Sequence, residues 1–394
     1  MERTIGIDTI NCGVFGQSTL VSTAFALFED RKSCVSQSED ELRNTVKTRI
    51  GGKLVLIQKR QMTLADVANA AGVSKMTASR ALRGDKNVSP ASQEKVHKAA
   101  NELGYAGNHL AASLSSKGSD LIGVVLPSFA NVVFAEASSG ITDALAGKRT
   151  QPVFGVTFYD PVREYEIVRN MLSWRPLGLI VTGVEQDQRT RDLLAGAEIP
   201  VVQIMDAEAD PVDASVGLSH FDAGYDMAKA LLDLGRHRFG FLGRNLHRDH
   251  RSAKRKAGFR RALQESGLDY TAEFEEEGLT TVEAGRQMTK TLLDRSPDLD
   301  CLYFASDDLA LGGLGYCMDA GLQVPDQMAL VGFNGLDHIK AFPGRIATSH
   351  TSRHLIGKRA AEIILDAIED PDRQRGRKEI IPPKIDLGLL AKLK

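Results

Sequence analysis

Two clusters of residues in this sequence carry chemistry. The first is Ser74, Lys75, Met76, Thr77, Ser79 and Arg80, which follow the tight Ala71-Gly72-Val73 turn. Cations and hydroxyls on one exposed helical face can meet base edges and phosphate oxygens, the lysine and arginine as donors to bases and the serines and threonine to the backbone. The same pattern also describes a small Ala-rich helical hairpin with a solvated basic face. The second cluster is Arg244, Arg248, Arg251, Lys254, Arg255, Lys256, Arg260 and Arg261. These cations read as a solvated helix face. Asp307-Asp308 are adjacent carboxylates at a helix start, so their side chains diverge and form no acid/base pair or metal site. Cys12, Cys34, Cys301 and Cys317 have no short metal-type spacing, and His237, His247, His250 and His338 have none either. Gly312-Gly313-Leu314-Gly315 fits neither a dinucleotide nor a phosphate loop and reads as close helix packing. No catalytic residue, metal or cofactor is expected.

These residues need elements to hold them. From Thr63 the apolar positions Leu64, Val67, Ala68 and Ala71 fall at helical spacing, with Thr63 as N-cap, Asp66 three residues on and Gly72 closing the helix. Ser74 caps a second helix to about Leu82. Ser89-Pro90 opens a third, with Val96, Ala99, Ala100 and Leu103 on its inner face before Gly104. Beyond a polar stretch at residues 113–120, short β-rich runs alternate with amphipathic helical patterns, the rhythm of parallel βαβ units. Strands are expected at 121–126, 152–158, 177–182, 200–204, 239–243, 301–305 and 329–333, and helices at 164–174 and 222–234. About 270 residues exceed what one core comfortably holds, so this region should form two α/β lobes.

Composition bounds the rest. The chain has 394 residues, 42% hydrophobic and 25% charged, which excludes collagen, coiled coil and wholesale disorder. A net charge of −2 from 49 basic and 51 acidic residues argues against nucleic acid bound over the whole surface and leaves room for a local basic module. Four cysteines with no framework fit a reducing cytoplasm. The longest apolar stretch, 19–28, is about half the ~20 residues of a membrane span and lacks signal-peptide flanks. Residues 1–61 show no sustained period and read as a poorly ordered extension, with translation expected to begin near Met62. The expected domains are a helix-turn-helix module over 62–106, a linker over 107–119 and a two-lobed body over 120–394.

The run Thr63-Leu64-Ala65-Asp66-Val67-Ala68 through Val73-Ser74-Lys75-Met76-Thr77-Ala78-Ser79-Arg80-Ala81-Leu82 resembles the DNA-binding modules of the lactose/galactose repressor family. The likeness continues through Val88-Ser89, Glu94-Lys95-Val96 and Leu103-Gly104-Tyr105, and covers almost all of residues 63–394. It implies an all-α helix-turn-helix DNA-binding domain joined to an α/β two-lobed effector domain with a periplasmic-binding-protein-like fold. It also implies a homodimer reading a palindromic operator in double-stranded DNA. The expected DNA-binding set is Thr63, Ser74, Lys75, Met76, Thr77, Ser79, Arg80 and Asn87. The resemblance adds Asn108, Ala111 and Leu114 in a hinge helix, with Leu114 as a wedge in the minor groove. Where the family usually carries Tyr-x-Pro-Asn, this chain has Tyr105-Ala106-Gly107-Asn108, and Gly107 makes the hinge costlier to order.

In the body, the resemblance places the effector at the carboxyl ends of strands, on Pro127, Ser128 and Phe129, on Ser306 and Asp307, and on Asn334, with Arg255 pointed at it. Within the family the chain is similar to repressors of gluconate utilisation, through Leu126-Pro127-Ser128, Phe134-Ala135-Glu136, Met171-Leu172-Ser173-Trp174, Pro200-Val201-Val202 with Met205-Asp206, and Ser306-Asp307-Asp308-Leu309-Ala310. That likeness implies a sugar-acid effector such as gluconate. The competing readings are a free-standing sugar-binding protein, which would lack the module at 63–114, and an enzyme on a doubly wound fold, which would need a nucleophile–base pair or a phosphate loop.

Overall fold

The computed structural model describes residues 45–50, 53–58, 62–85, 87–105, 119–370, 373 and 375–392. It divides into two units, Met1–Gly107 and Asn108–Lys394.

The first unit departs from expectation at its start. Within 1–61, expected to lack regular structure, β1 (Thr45–Ile50) and β2 (Lys53–Gln58) pair antiparallel, from Thr45 opposite Gln58 to Ile50 opposite Lys53. Both runs are rich in β-branched residues and leucine, and only Gly51-Gly52 separates them, a dipeptide suited to a tight hairpin. Interleaved Lys47 and Arg49 hide the pattern from a search for continuous apolar runs.

Three helices follow where the sequence places them: α1 (Leu64–Ala71), α2 (Lys75–Leu82) and α3 (Pro90–Glu102). Each start is capped. Thr63 and Asp66 form a reciprocal capping box, with the Thr63 N–H donating to Asp66 Oδ2 at 2.8 Å. Ser74 Oγ accepts from the Thr77 N–H at 3.0 Å, and Ser89 precedes Pro90 in the first turn. Gly72 ends α1 at φ 66°, a left-handed conformation that glycine adopts without strain and that sends α2 off at a steep angle. Val67, Ala68, Ala78, Ala81, Val88, Val96, Ala99 and Ala100 form the core of the module.

The second unit contains two six-stranded sheets. In the first lobe the order is β13-β7-β6-β5-β3-β4, formed by Arg377–Ile380, Ala214–Leu218, Val201–Asp206, Gly178–Thr182, Leu121–Leu126 and Gln151–Val156, all parallel. In the second it is β14-β12-β11-β10-β8-β9, formed by Lys384–Asp386, Ile346–His350, Ala329–Val331, Cys301–Phe304, Phe239–Arg244 and Ala272–Glu276. Only β14 runs antiparallel to its neighbour. Helices α4 (Val132–Leu145), α5 (Pro161–Ser173), α6 (Gln188–Ala195) and α11 (Arg353–Glu369) belong to the first lobe. Helices α7 (His220–Leu232), α8 (His250–Glu265), α9 (Val282–Arg295) and α10 (Asp307–Asp319) belong to the second. The chain therefore crosses between lobes three times, after β7, after β12 and between β13 and β14.

All seven expected strands are present, and five more join them. Of these, β9 (AEFEE), β13 (RKEI) and β14 (KID) are edge strands whose charged residues give no apolar run, and β7 and β12 bury small or hydroxyl side chains. The strand expected over 152–158 stops at Val156, because Phe158 and Tyr159 take φ values of 55° and 59° and turn the chain into α5. The α7 and α8 backbones touch: a Cβ on Gly224 would strike the Arg255 carbonyl, and one on Gly258 the Phe221 carbonyl. Gly312 meets the Val282 carbonyl of α9 in the same way, which is the close helix packing expected of it.

Candidate functional site

In the helical module, Lys75, Met76 and Arg80 are exposed on α2, with Met76 at 64%. Together with half-buried Ser79 they fall within ~140° of arc at 3.6 residues per turn. A large exposed methionine between two cations on a rigidly capped helix is a surface shaped for a partner that is apolar and anionic by turns, as a groove edge is. Thr63 and Ser74 are exposed, and their hydroxyls serve the caps of α1 and α2. Thr77 is half-buried and its hydroxyl lies 2.8 Å from that of Ser74. Asn87 is exposed in the α2–α3 turn, its N–H and amide both donating to Asp85 Oδ1 at 2.9 Å. Asn108, Ala111 and Leu114, like residues 107–118 of the expected hinge, lie outside the described residues.

Between the lobes of the second unit lie two adjoining cavities that share Tyr159 and Arg251. The narrow one, about 60 Å³, is lined by Asn131, Phe134, His220, Asp249, Arg255, Phe333, Asn334 and Arg353 among others. Such a volume holds a few waters at ~10–15 Å³ each. The wide one, about 530 Å³, is lined by Pro127, Thr157, Asp160, Glu164, Thr182, Glu185 and Gln186 from the first lobe and by His247, Arg248 and His250 from the second. That is the size of a small-molecule site.

Arg255 is buried and heavily engaged. One terminal nitrogen donates to His220 Nδ1 at 2.9 Å, and the other to Ser252 Oγ at 2.7 Å and the Ala305 carbonyl at 2.9 Å. Its guanidinium lies 3.9 Å over the Phe333 ring, a desolvated cation–π contact. Burial pulls its pKa below the usual arginine value, yet a guanidinium stays charged in a protein. Burial, with Arg255 and Arg251 beside it, holds His220 neutral, its pKa well below the ordinary range. His220 thus accepts from Arg255 at Nδ1 and donates from Nε2 to the Met205 carbonyl at 2.9 Å, linking the two lobes. The leftover donor is Arg255 Nε, which is buried and has no partner among the described residues. Arg353 anchors the opposite wall, paired in bidentate fashion with Glu136 at 2.9 and 3.0 Å.

A second inter-lobe tie is ionic. Lys254 on α8 reaches Glu185, Asp206 at 2.6 Å and Glu208 at 3.1 Å, all on the first lobe. Asp206 is fully buried, and burial pushes its carboxyl up to about 6 despite the ammonium beside it. Against the opposing effect of burial, Asp206 and Glu185 raise the Lys254 ammonium above the usual lysine value.

The expected effector residues divide. Arg255 and Asn334 line the narrow cavity and Pro127 the wide one, whereas Ser128, Phe129, Ser306 and Asp307 line neither. Ser128 Oγ accepts from the Ala130 N–H within its own loop, and Phe129 is half exposed with its ring edge against Phe154. Ser306 caps α10. Asp307 is fully buried, its carboxylate accepting from the Leu336 N–H and Thr348 Oγ1, each at 2.7 Å. It braces the loop carrying Asn334, whose φ of 109° is strained. Sequence reasoning missed His220, Arg251, Arg353, Tyr159 and Glu164. Arg251 stood in the cationic run at i−4 from Arg255, one turn away on the same face. The others come from distant segments and carry no local signal.

Among the described residues no group of three or more metal-ligating side chains is assembled, and no helix is long and apolar enough to cross a membrane.

Comparison with known proteins supplies an independent line. The pattern for bacterial regulatory proteins of the lacI family matches residues 63–108, and that for a periplasmic binding protein-like domain matches 228–388. The HTH-type transcriptional regulator GntR of Pseudomonas aeruginosa is 37% identical over 327 residues, 83% of this chain and 93% of the relative. The regulator of the same name in Escherichia coli K12 is 35% identical over 333 residues, 84% of this chain and 97% of the relative. Among solved structures, a lacI-family transcriptional regulator from Silicibacter pomeroyi superposes with a TM-score of 0.79 at 43% identity, covering 83% of this chain and 98% of its own.

Proposed function

Because this chain belongs to the lacI family of bacterial regulatory proteins, we propose that it works as a cytoplasmic homodimer on a palindromic operator and that a small sugar acid such as gluconate entering its cleft loosens that grip. It is a DNA-binding transcriptional regulator, as its relatives are. The observation that carries the effector reading is the arginine-lined cleft, where Arg251 and Arg255 stand in neighbouring turns of α8. A carboxylate rich in neighbouring hydroxyls suits planar donors of this kind. The likeness to repressors of gluconate utilisation supports the same class.

On this reading α2 enters the major groove with Lys75, Met76 and Arg80 foremost. Ser74, Thr77, Ser79, Thr63 and Asn87 border the phosphates, and Leu114 wedges the central step with Asn108 and Ala111 beside it. The working boundaries are 62–106 for the DNA module, 107–119 for the hinge and 120–394 for the effector body. The ligand needs only a differential affinity for two lobe arrangements, and coupling of ~1–3 kcal/mol suffices.

The test is fluorescence anisotropy of a labelled palindrome from the region upstream of the coding sequence, titrated at fixed salt with and without gluconate. Tight binding that gluconate weakens supports the whole reading. Tight binding indifferent to gluconate rejects the effector, and absence of specific binding rejects the operator.

A further inference from the structure

The wide cavity has a feature that the cationic cluster does not account for. Among the described residues lining the two cavities are four carboxyl groups, Asp160, Glu164, Glu185 and Asp249, and four arginines, Arg248, Arg251, Arg255 and Arg353, of which Arg353 is already paired with Glu136. Three of those carboxyls are committed elsewhere. Asp160 caps α5 by accepting from the Val162 N–H at 2.9 Å, Glu185 pairs with Lys254, and Asp249 caps α8 and accepts from Ser252 Oγ at 2.6 Å. Glu164 has no ion-pair partner among the described residues and stands on α5, across the cavity from Arg248 and His250 on the second lobe.

Resting on the sugar-acid reading of this cleft, we infer that Glu164 is a specificity-determining residue that takes up a proton from solvent when a polyhydroxy monocarboxylate binds. An ionised Glu164 sets a negative charge in the same cavity as a ligand carboxylate; with it neutral that repulsion is gone. As a neutral acid it also presents an O–H donor and a carbonyl acceptor to hydroxyl groups, which an ionised carboxylate cannot do. A neutral sugar gains nothing in charge from the proton.

The surroundings of Glu164 favour this. Burial pushes its carboxyl up to about 7, with Asp187 and Glu185 adding to the rise and hydrogen bonding from Gln186 and the charge of Arg251 opposing it. The other charged or titratable groups on the cavity wall are Tyr159, Asp160, His247, Arg248 and His250.

The measurement is calorimetric titration of the full chain with D-gluconate between pH 6 and 8.5, in pairs of buffers with different ionisation enthalpies, which counts protons exchanged on binding. The wild type is expected to take up nearly one proton at pH 8 and to lose up to tenfold in affinity per pH unit above 7. Glu164→Gln is expected to bind gluconate with no uptake and with less than a twofold change in Kd over that range. Imidazoles are a second class of group that can change charge near neutrality, so the His247→Gln/His250→Gln double variant is titrated in parallel and is expected to retain the uptake. It also serves if Glu164→Gln fails to fold. Loss of uptake in the histidine variant, its persistence in Glu164→Gln, or binding without uptake in the wild type overturns the inference alone. No gluconate binding to wild type at pH 6 overturns the sugar-acid reading and this inference with it.

Discussion

Replacing Lys254 with methionine removes the one cation held between Glu185, Asp206 and Glu208, and the cost should depend on pH in a direction the geometry fixes. The methionine keeps most of the buried stem, so packing changes little. What changes is that Asp206, fully buried, and its two partly buried neighbours lose an ammonium 2.6 and 3.1 Å from Asp206 and Glu208. Stranding one side of a buried ion pair costs ~3–5 kcal/mol. The Asp206 carboxyl already sits raised to about 6 by burial, so its ionised form is disfavoured in the folded state. A group whose folded pKa exceeds its unfolded value holds its proton more tightly when folded, so its destabilising effect is absent at low pH and grows as pH rises through about 6. In the Lys254→Met protein at pH 8 the full penalty applies, and at pH 5.5 a protonated Asp206 leaves ~1–2 kcal/mol. At ~2–4 °C per kcal/mol for a domain of this size, the transition of the effector domain should fall by ~6–20 °C at pH 8 and far less at pH 5.5. Differential scanning calorimetry of wild type and variant at both pH values measures it. Equal shifts at the two pH values, a larger one at pH 5.5, or a shift under ~3 °C at pH 8 would refute the reasoning.

Three further outcomes follow from the same structure. Arg255→Ala should abolish the gluconate response in the anisotropy assay while leaving operator affinity within about twofold, since Lys75, Met76 and Arg80 of the helical module lie in a separate unit; circular dichroism must first show a folded chain, because His220 and the Ala305 carbonyl lose their donor. Leu114→Ala should weaken specific binding far more than non-specific binding, because it removes the wedge and leaves the phosphate contacts, and equal losses on both DNAs would count against it. Cys301 and Cys317 are buried, with burial pushing the first thiol far up and the second to about 12, so peptide mapping after iodoacetamide at pH 8 should find both unmodified until the protein is unfolded.

The DNA module was legible nearly residue by residue, because its signals are local. Thr63, Ser74 and Ser89 announce helix starts, Gly72 announces a left-handed turn, and the alanines and valines between them repeat at helical spacing. The parallel core strands were legible for the same reason, as apolar runs such as LIGVVL. The charged edge strands β9, β13 and β14 were not, since a strand bonded on one side tolerates charges and β13 reads RKEI. In the cleft, Arg255 was anticipated and its environment was not. His220 is 35 residues away in the chain, and nothing local marks it as the acceptor that ties Arg255 to the first lobe. For Asp307 the sequence showed a carboxylate at a strand end, but not its bond to the Thr348 hydroxyl, 41 residues on.

The three crossings between lobes also set an order in time. The first lobe is not one stretch of chain: its sheet runs to β7 at Leu218, then waits for α11 from Arg353 and for β13, which pairs with β7 and ends at Ile380. At ~5–20 residues per second a ribosome needs ~8–30 s to supply the intervening ~160 residues. During that interval the β7 edge is unpaired and the α4 face that receives α11 is open, while the whole second-lobe core emerges beside them. The second lobe in turn needs β14, from the last stretch of the chain, to cover β12. Neither lobe can be completed before the other has been largely made, so the unfinished lobe stays exposed for longer than its size alone would require. A chain cut short before residue 353 leaves both lobes unfinished rather than one.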